Sequence, residues 1–142
     1  MAIKNNIFVD SNFFIALSNL GDSQHEKAVE VKKKITQGNY VLTITNLIFL
    51  EIVTVLSQRV GRQDAIGVGG KLLTDADIKI IHINTDLHQL SWEIFKEIAK
   101  KNMSFVDCSS IAVMDAEGIE KFLTFDHEDF KGLRKKYKFS FF

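Results

Sequence analysis

A single cysteine, Cys108, stands among 142 residues, which excludes an internal disulfide and any all-cysteine zinc site and suits a reducing cytoplasm. No stretch supplies about 18 uninterrupted apolar residues, so no membrane span is expected. Net charge is also missing. Eighteen basic residues balance eighteen acidic ones, so the whole molecule does not steer toward a polyanion, and such a partner has to be met by a local basic patch. No leader pattern opens the chain: Met1 to Asn6 is short and polar, and the apolar run after it stops at Asp10. Proline is absent, which carries no functional reading, and there is no repeat, linker or low-complexity tract. What remains is ordinary for a folded protein. Hydrophobic residues make up 46%, enough for one domain over residues 1–142 that buries roughly two-thirds of its unfolded surface.

The hydrophobic pattern alternates between strand and helix. Ile7-Phe8-Val9 reads as a first buried strand ending in Asp10, followed by a helix from Ser11 to Leu20 and a break at Gly21-Asp22. Ser23 and Glu26 have capping-box spacing for a helix running to about Gln37. Tyr40 to Thr45 reads as a second strand, and Thr45 or Asn46 caps the apolar helix Leu47 to about Val60. A further helix is expected over Gln63 to Leu73, where Gly67, Gly69 and Gly70 suggest close packing. Lys79 to Ile83 is a third strand. Thr85 or Asp86 then caps an amphipathic helix with Leu87, Leu90, Ile94 and Ile98 inward. Asp107 precedes the apolar-periodic run Cys108, Ile111, Ala112 and Met114, so it reads as a helix start, with Gly118 as the stop. Ile119 to Phe125 is a fourth strand with Asp126 at its carboxyl end, and Tyr137 to Phe142 forms a short last strand. Strands separated by helices imply parallel pairing and an α/β layer fold.

Four acids fall at joints of this pattern or inside its most apolar helix: Asp10, Glu51, Asp107 and Asp126. Taken singly, Asp10 and Asp107 serve as N-caps, Asp126 as a turn residue, and Glu51 as part of a solvated stripe with Thr54 and Gln58. If strands one and four are neighbours where the chain order reverses, Asp10 and Asp126 share one crevice, and a helix start on the same edge adds Asp107. Carboxylates that close repel one another unless a cation is present, and an all-oxygen set suits Mg²⁺ or Mn²⁺ over zinc. A phosphoaspartyl role for Asp10 lacks the second aspartate two residues on, where Asn12 stands. Spacing alone stops at an α/β domain with a candidate acidic crevice.

The segments IFVDSN, NLIFLE, FVDCSSIAVMDAEGI and FLTFDHEDF, in this order, resemble the PIN domain family, and within it the VapC-type toxin ribonucleases of toxin–antitoxin pairs. The similarity covers essentially the whole chain, and the T-F-D-x-x-D-F ending is its most specific part. It implies a three-layer α/β/α fold with a parallel sheet of four to five strands ordered 3-2-1-4-5. Carried over by position, the acids are Asp10, Glu51, Asp107 and Asp126, with Asp10 and Asp107 the most direct metal ligands. Ser11 orients Asp10, and Asp129 is a weaker acid one turn further on. The implied activity is Mg²⁺- or Mn²⁺-dependent endonuclease cleavage of RNA leaving a 5′-phosphate, and the implied partners are a cognate antitoxin and a second copy in a homodimer. Arg59, Arg62, Lys131, Arg134, Lys135 and Lys136 are the candidate RNA-binding residues; each taken alone reads as solvated surface. His127 reads as a loop residue, and Phe13 and Phe14 as core. The alternative is a PIN-like module that binds RNA or protein and keeps its acids only as helix caps.

Overall fold

Short runs of Ile, Phe, Val and Thr pair in parallel, burying both faces as near-continuous apolar strands do. The computed structural model describes residues 5–98 and 100–142, so most of the polar start read from Met1 lies outside it. The strands are β1 (Asn5–Val9), β2 (Tyr40–Thr45), β3 (Ile78–Ile81), β4 (Lys121–Leu123) and β5 (Ser140–Phe141). They form one sheet in the order β3-β2-β1-β4-β5, every neighbouring pair parallel. The chain grows outward from β1 on one side and then crosses to β4 on the other. The switch point therefore lies between β1 and β4, as expected, and crevices for ligands open at the carboxyl ends of strands there.

Helices α1 (Ser11–Ser18), α2 (His25–Gln37), α3 (Asn46–Arg59) and α4 (Arg62–Thr74) pack as one group. Helix α5 (Thr85–Glu97) packs on α6 (Phe105–Glu117). After β4 the chain makes α7 (His127–Phe130), a 3-10 turn (Lys131–Leu133) and α8 (Arg134–Tyr137). Phe122 of β4 anchors the core, its ring meeting Phe8, Phe130 and Phe139 at centroid distances of 5.9, 4.8 and 5.7 Å. Phe13 and Phe14 are buried core residues, as read.

Several local expectations are corrected. Ser23 and Glu26 form no capping box: α2 starts at His25, and the turn before it is held by Asp22 Oδ1 accepting from the Gln24 N–H at 2.8 Å. Asn84, not Thr85 or Asp86, caps α5, its Oδ1 accepting from the Leu87 N–H. Leu90 is exposed, because the inward stripe of α5 runs through Leu87, Ser91, Ile94 and Ile98. Of the α4 glycines only Gly69 is in close approach, where a Cβ would lie 3.3 Å from Val53 of α3; Gly67 and Gly70 face open space. Gly118 does end α6, in the left-handed conformation at φ 66°, donating to Asp115 and Met114 carbonyls.

Candidate active site

Asp10 reaches the crevice by extending the sheet one rung. Its N–H donates to the Leu123 carbonyl at 2.9 Å, so the last bond between β1 and β4 fixes the backbone that carries the carboxylate. That carboxylate caps α1, accepting the Ser11 N–H at 2.8 Å on Oδ1, while Thr124 Oγ1 donates to Oδ2 at 2.8 Å. The residue is only 4% exposed. Burial is the main cause that pushes its pKa up from 3.8 to about 7, opposed by the Thr124 bond, raised further by the charge of Asp107, opposed by the Ser11 amide and raised again by Asp126.

Asp107 stands in the first turn of α6 and does not begin it. Ser104 is the N-cap, and the two form a reciprocal box: Asp107 N–H donates to Ser104 Oγ at 3.1 Å, and Ser104 N–H donates to Asp107 Oδ2 at 3.0 Å. Burial raises the Asp107 pKa first of all; the Ser104 bonds oppose it, and the charges of Glu51 and Asp126 add to it. The charges of Asp107 and Asp126 act on Asp10, and those of Glu51 and Asp126 act on Asp107, so the four carboxylates lie in one neighbourhood.

Glu51, half-buried on α3, accepts the Ser11 hydroxyl on Oε1. Ser11 was expected to orient Asp10. It does so only through its backbone amide, and its hydroxyl holds Glu51 instead. The loop after β4 is tied to α1 by Asn12. Asn12 Nδ2 donates to Thr124 Oγ1 and Asp126 Oδ2, each at 3.3 Å, and Asn12 Oδ1 accepts the Phe125 N–H at 3.2 Å. Thr124 Oγ1 also accepts the Asp126 N–H at 3.1 Å. A continuous chain of bonds therefore runs from Asp10 through Thr124 and Asn12 to Asp126. In the sequence Asn12 is named only as the residue that stands in place of a second aspartate and Thr124 is not named, although both lie inside the DSN and TFD segments that flag their acidic neighbours.

Other expected residues are placed less centrally. The Asp129 carboxylate makes no described contact with the four acids; its carbonyl accepts Lys100 Nζ at 3.2 Å. His127 opens α7 with its ring stacked on Phe141, centroids 4.0 Å apart. Of the basic residues, Arg59 lines the cleft beside Glu51 and Asp126. Lys131 pairs with Glu128 at 2.8 Å, Lys136 with Glu97 at 3.2 Å, and Arg134 lies over the Phe141 ring. Arg62 and Lys135 are exposed and do not line the cleft.

Among the described residues no three acidic, histidine or cysteine side chains are gathered into a finished ion cage. The expected shared ligand set of Asp10, Asp107, Asp126 and Glu51 is therefore a neighbourhood and not a preformed cage. Asp10 and Asp107 each give an oxygen to a helix-start amide. The donors still match a hard divalent cation. All are carboxylate oxygens, the innermost is buried, and among the described residues no lysine or arginine pairs with any of them.

The family model described as PIN domain matches residues 7–136. The 23S rRNA-specific endonuclease VapC20 of Mycobacterium tuberculosis is 32% identical over 120 residues, spanning 84% of this chain and 88% of its own length. The crystal structure of that protein, described as a sarcin–ricin loop cleaving toxin, aligns with a TM-score of 0.78 at 31% identity, covering 89% of this chain and 93% of that one. A toxin–antitoxin complex from Klebsiella pneumoniae aligns at TM-score 0.61 and 18% identity, over 89% of this chain and 92% of that one. VapBC2 from Rickettsia felis, bound to a DNA fragment from its promoter, aligns at TM-score 0.60 and 16% identity, with the same two coverages of 89% and 92%. These last two bear on the fold.

Proposed function

The chain belongs to the PIN domain family, and on that premise we propose that it is a Mg²⁺- or Mn²⁺-dependent endoribonuclease acting as the toxin of a VapBC-type pair. Ribosomal RNA is the substrate class, by its likeness to the rRNA-specific endonuclease it matches over most of its length. The observation that carries the reading is the buried Asp10 carboxylate, bonded to Thr124 and the Ser11 amide and within electrostatic reach of Asp107 and Asp126, with no ion pair to any of the three among the described residues.

Asp10, Asp107 and Asp126, with Glu51, would hold the cation. When bound, it supplies stabilisation of charge gathering on the phosphate and lowers the pKa of water. The protein's part is to position and to move protons. Thr124 and the Ser11 amide fix the Asp10 oxygens, and the Ser104 box fixes one oxygen of Asp107. Glu51, aimed by the Ser11 hydroxyl, is the group suited to orient or deprotonate the attacking water. Asn12 holds Asp126 and the loop that bears it.

The partners follow the same reading. A groove of about 550 Å³ lies between α1, α2 and α4, lined by Phe14, Leu17, Ile35, Val68 and Leu72 among others, and it supports an antitoxin helix. Leu50, Ile66 and Leu73 of α3 and α4 are exposed and support a protein-covered surface, including a homodimer. No helix among the described residues is long and apolar enough to cross a membrane.

The test is cleavage of purified 23S rRNA by wild-type protein with Mn²⁺, against Asp10→Asn and Asp107→Asn. Each variant is expected to keep its fold and lose at least a hundredfold in rate. Undiminished cleavage in both overturns the assignment. The second reading, a non-catalytic module, is favoured by the capping roles of Asp10 and Asp107; it predicts no metal-dependent cleavage by the wild type.

A further inference from the structure

The charge of Asp126 acts on Asp107, yet the segments that carry the two acids come from different parts of the chain. On one side, the connector from α5 to α6 closes a turn with the Met103 N–H on the Lys100 carbonyl at 3.3 Å. Ser104 then caps the helix that bears Asp107. On the other, the Asp126 carbonyl accepts the Asp129 and Phe130 N–H groups at 3.2 and 3.4 Å, so Asp126 opens the single turn of α7. Met103 and Phe130 are buried and root each segment in the core separately.

Where the end of α5 approaches the 3-10 turn and α8, the packing is open. A cleft of about 380 Å³ lies there, with Ile98, Leu133 and Tyr137 among its walls. Apolar contact therefore does not fix the spacing of the two segments at that point. Among the described residues two side chains bridge the gap. Lys136 pairs with Glu97 at 3.2 Å, both side chains more than half exposed, where an ion pair contributes little. Lys100 Nζ donates to the Glu128 carbonyl at 3.1 Å and to the Asp129 carbonyl at 3.2 Å. These carbonyls lie at the C-terminal end of α7, where backbone dipoles leave negative partial charge and lysine is a favoured donor. Lys100 thus reaches from the turn that precedes Ser104 to the short helix that Asp126 opens.

We propose that Lys100 is a positioning residue. By holding α7 to the connector it sets the distance between Asp126 and Asp107, and with it the strength with which the crevice takes a divalent cation. The proposal rests on the cation site of the reading above and adds the residue that tunes it. Its sign separates it from plain electrostatics. Removing a nearby positive charge tightens the binding of a cation, whereas loosening the acids that hold it weakens that binding.

The test compares wild type with three variants. Lys100→Met keeps the length of the side chain and removes the donor, and Lys100→Arg keeps a donor. Lys101→Met removes a neighbouring exposed charge that makes no described bond. Mn²⁺ is titrated while the melting temperature is followed, and amide exchange is measured by NMR in EDTA. In Lys100→Met the apparent Kd for Mn²⁺ should rise about tenfold, as for loss of a group that holds a metal ligand in place. Its metal-free melting temperature should stay within about 2 °C of wild type, as for an exposed substitution. The Asp129 and Phe130 amides should exchange several-fold faster without metal, because α7 loses its outer fastening. Lys100→Arg should restore both readouts, and Lys101→Met should alter neither. Mn²⁺ binding in Lys100→Met as tight as in wild type or tighter, an equal loss in Lys101→Met, no recovery in Lys100→Arg, or unaltered amide exchange each overturns the proposal. When wild type gives a Mn²⁺ shift that Asp107→Asn lacks, such a result removes the role of Lys100 alone and leaves the metal site standing. No Mn²⁺ shift in wild type removes the site itself and the role of Lys100 with it.

Discussion

Asp10 does two jobs whose requirements conflict. As a helix cap it needs to be in place and ionised, yet it is buried among other acids, and its pKa rises to about 7. In the unfolded chain it returns to about 3.8. Between those values the metal-free folded protein holds a proton that the unfolded chain releases, so the contribution of this group is fully present below about pH 4 and is lost as pH rises through 7. The separation corresponds to an upper bound on the order of 4 kcal/mol. Asp107, also raised, adds in the same direction. The metal-free Asp10→Asn protein should therefore gain stability over wild type progressively from pH 4 to pH 7 in urea melts. A difference that does not change with pH would refute the account. At this scale the acids were legible, because the resemblance marks each by its segment. Their holders were not: spacing says nothing about which oxygen Thr124 faces, or that Asn12 reaches the loop 112 to 114 residues away. The shift of Ser11 from Asp10 to Glu51 is of the same kind, since a helix turn had to be built before its hydroxyl had a direction.

The start of α6 shows how an element and the site share parts. Ser104 and Asp107 satisfy two backbone amides reciprocally, and the same Asp107 faces the other acids. The sequence contains the box as S-x-x-D, but an aspartate directly ahead of an apolar run reads as the cap, which moved the predicted start three residues downstream. Ser104→Ala should cost about 1 kcal/mol of stability through the lost cap. The backbone N–H of residue 104 still donates to Asp107 Oδ2 in that variant, but the Asp107 N–H loses its Oγ partner, so the helix start that carries the carboxylate loosens and cleavage should fall by more than the stability loss explains. Comparing urea midpoints with the rate at saturating Mn²⁺ checks this, and an unimpaired rate would mean that the box serves the helix alone. The failed box at Ser23 is the converse case. There Asp22 closed a tighter turn first, and the helix began at His25 with no side-chain cap. Element types followed from periodicity, whereas ends depended on which of several polar neighbours reached an amide.

Across the molecule, the sheet order 3-2-1-4-5 was legible because helices between strands dictate parallel pairing and the family resemblance supplied the order. That the described residues hold no finished ion cage was not legible, because the hydrogen bonds that occupy the Asp10 and Asp107 oxygens exist only once the helices are built. A cation that draws them in should stabilise the native state through mass action, by about 2.7 kcal/mol at a hundredfold excess over its Kd. Thermal melts with and without Mn²⁺ should show an upward shift in wild type that Asp107→Asn lacks. Equal shifts in both would place the ion elsewhere. The Asp10 amide closes the final rung between β1 and β4, whereas the Asp126 amide donates to the Thr124 hydroxyl at an exposed loop position. In deuterated solvent these two protons should therefore exchange on very different clocks, the first only when the sheet itself opens and the second through local fraying. One rim of the crevice is thus fastened by the sheet's own backbone ladder, and the opposite rim by side-chain bonds from Asn12 and Thr124.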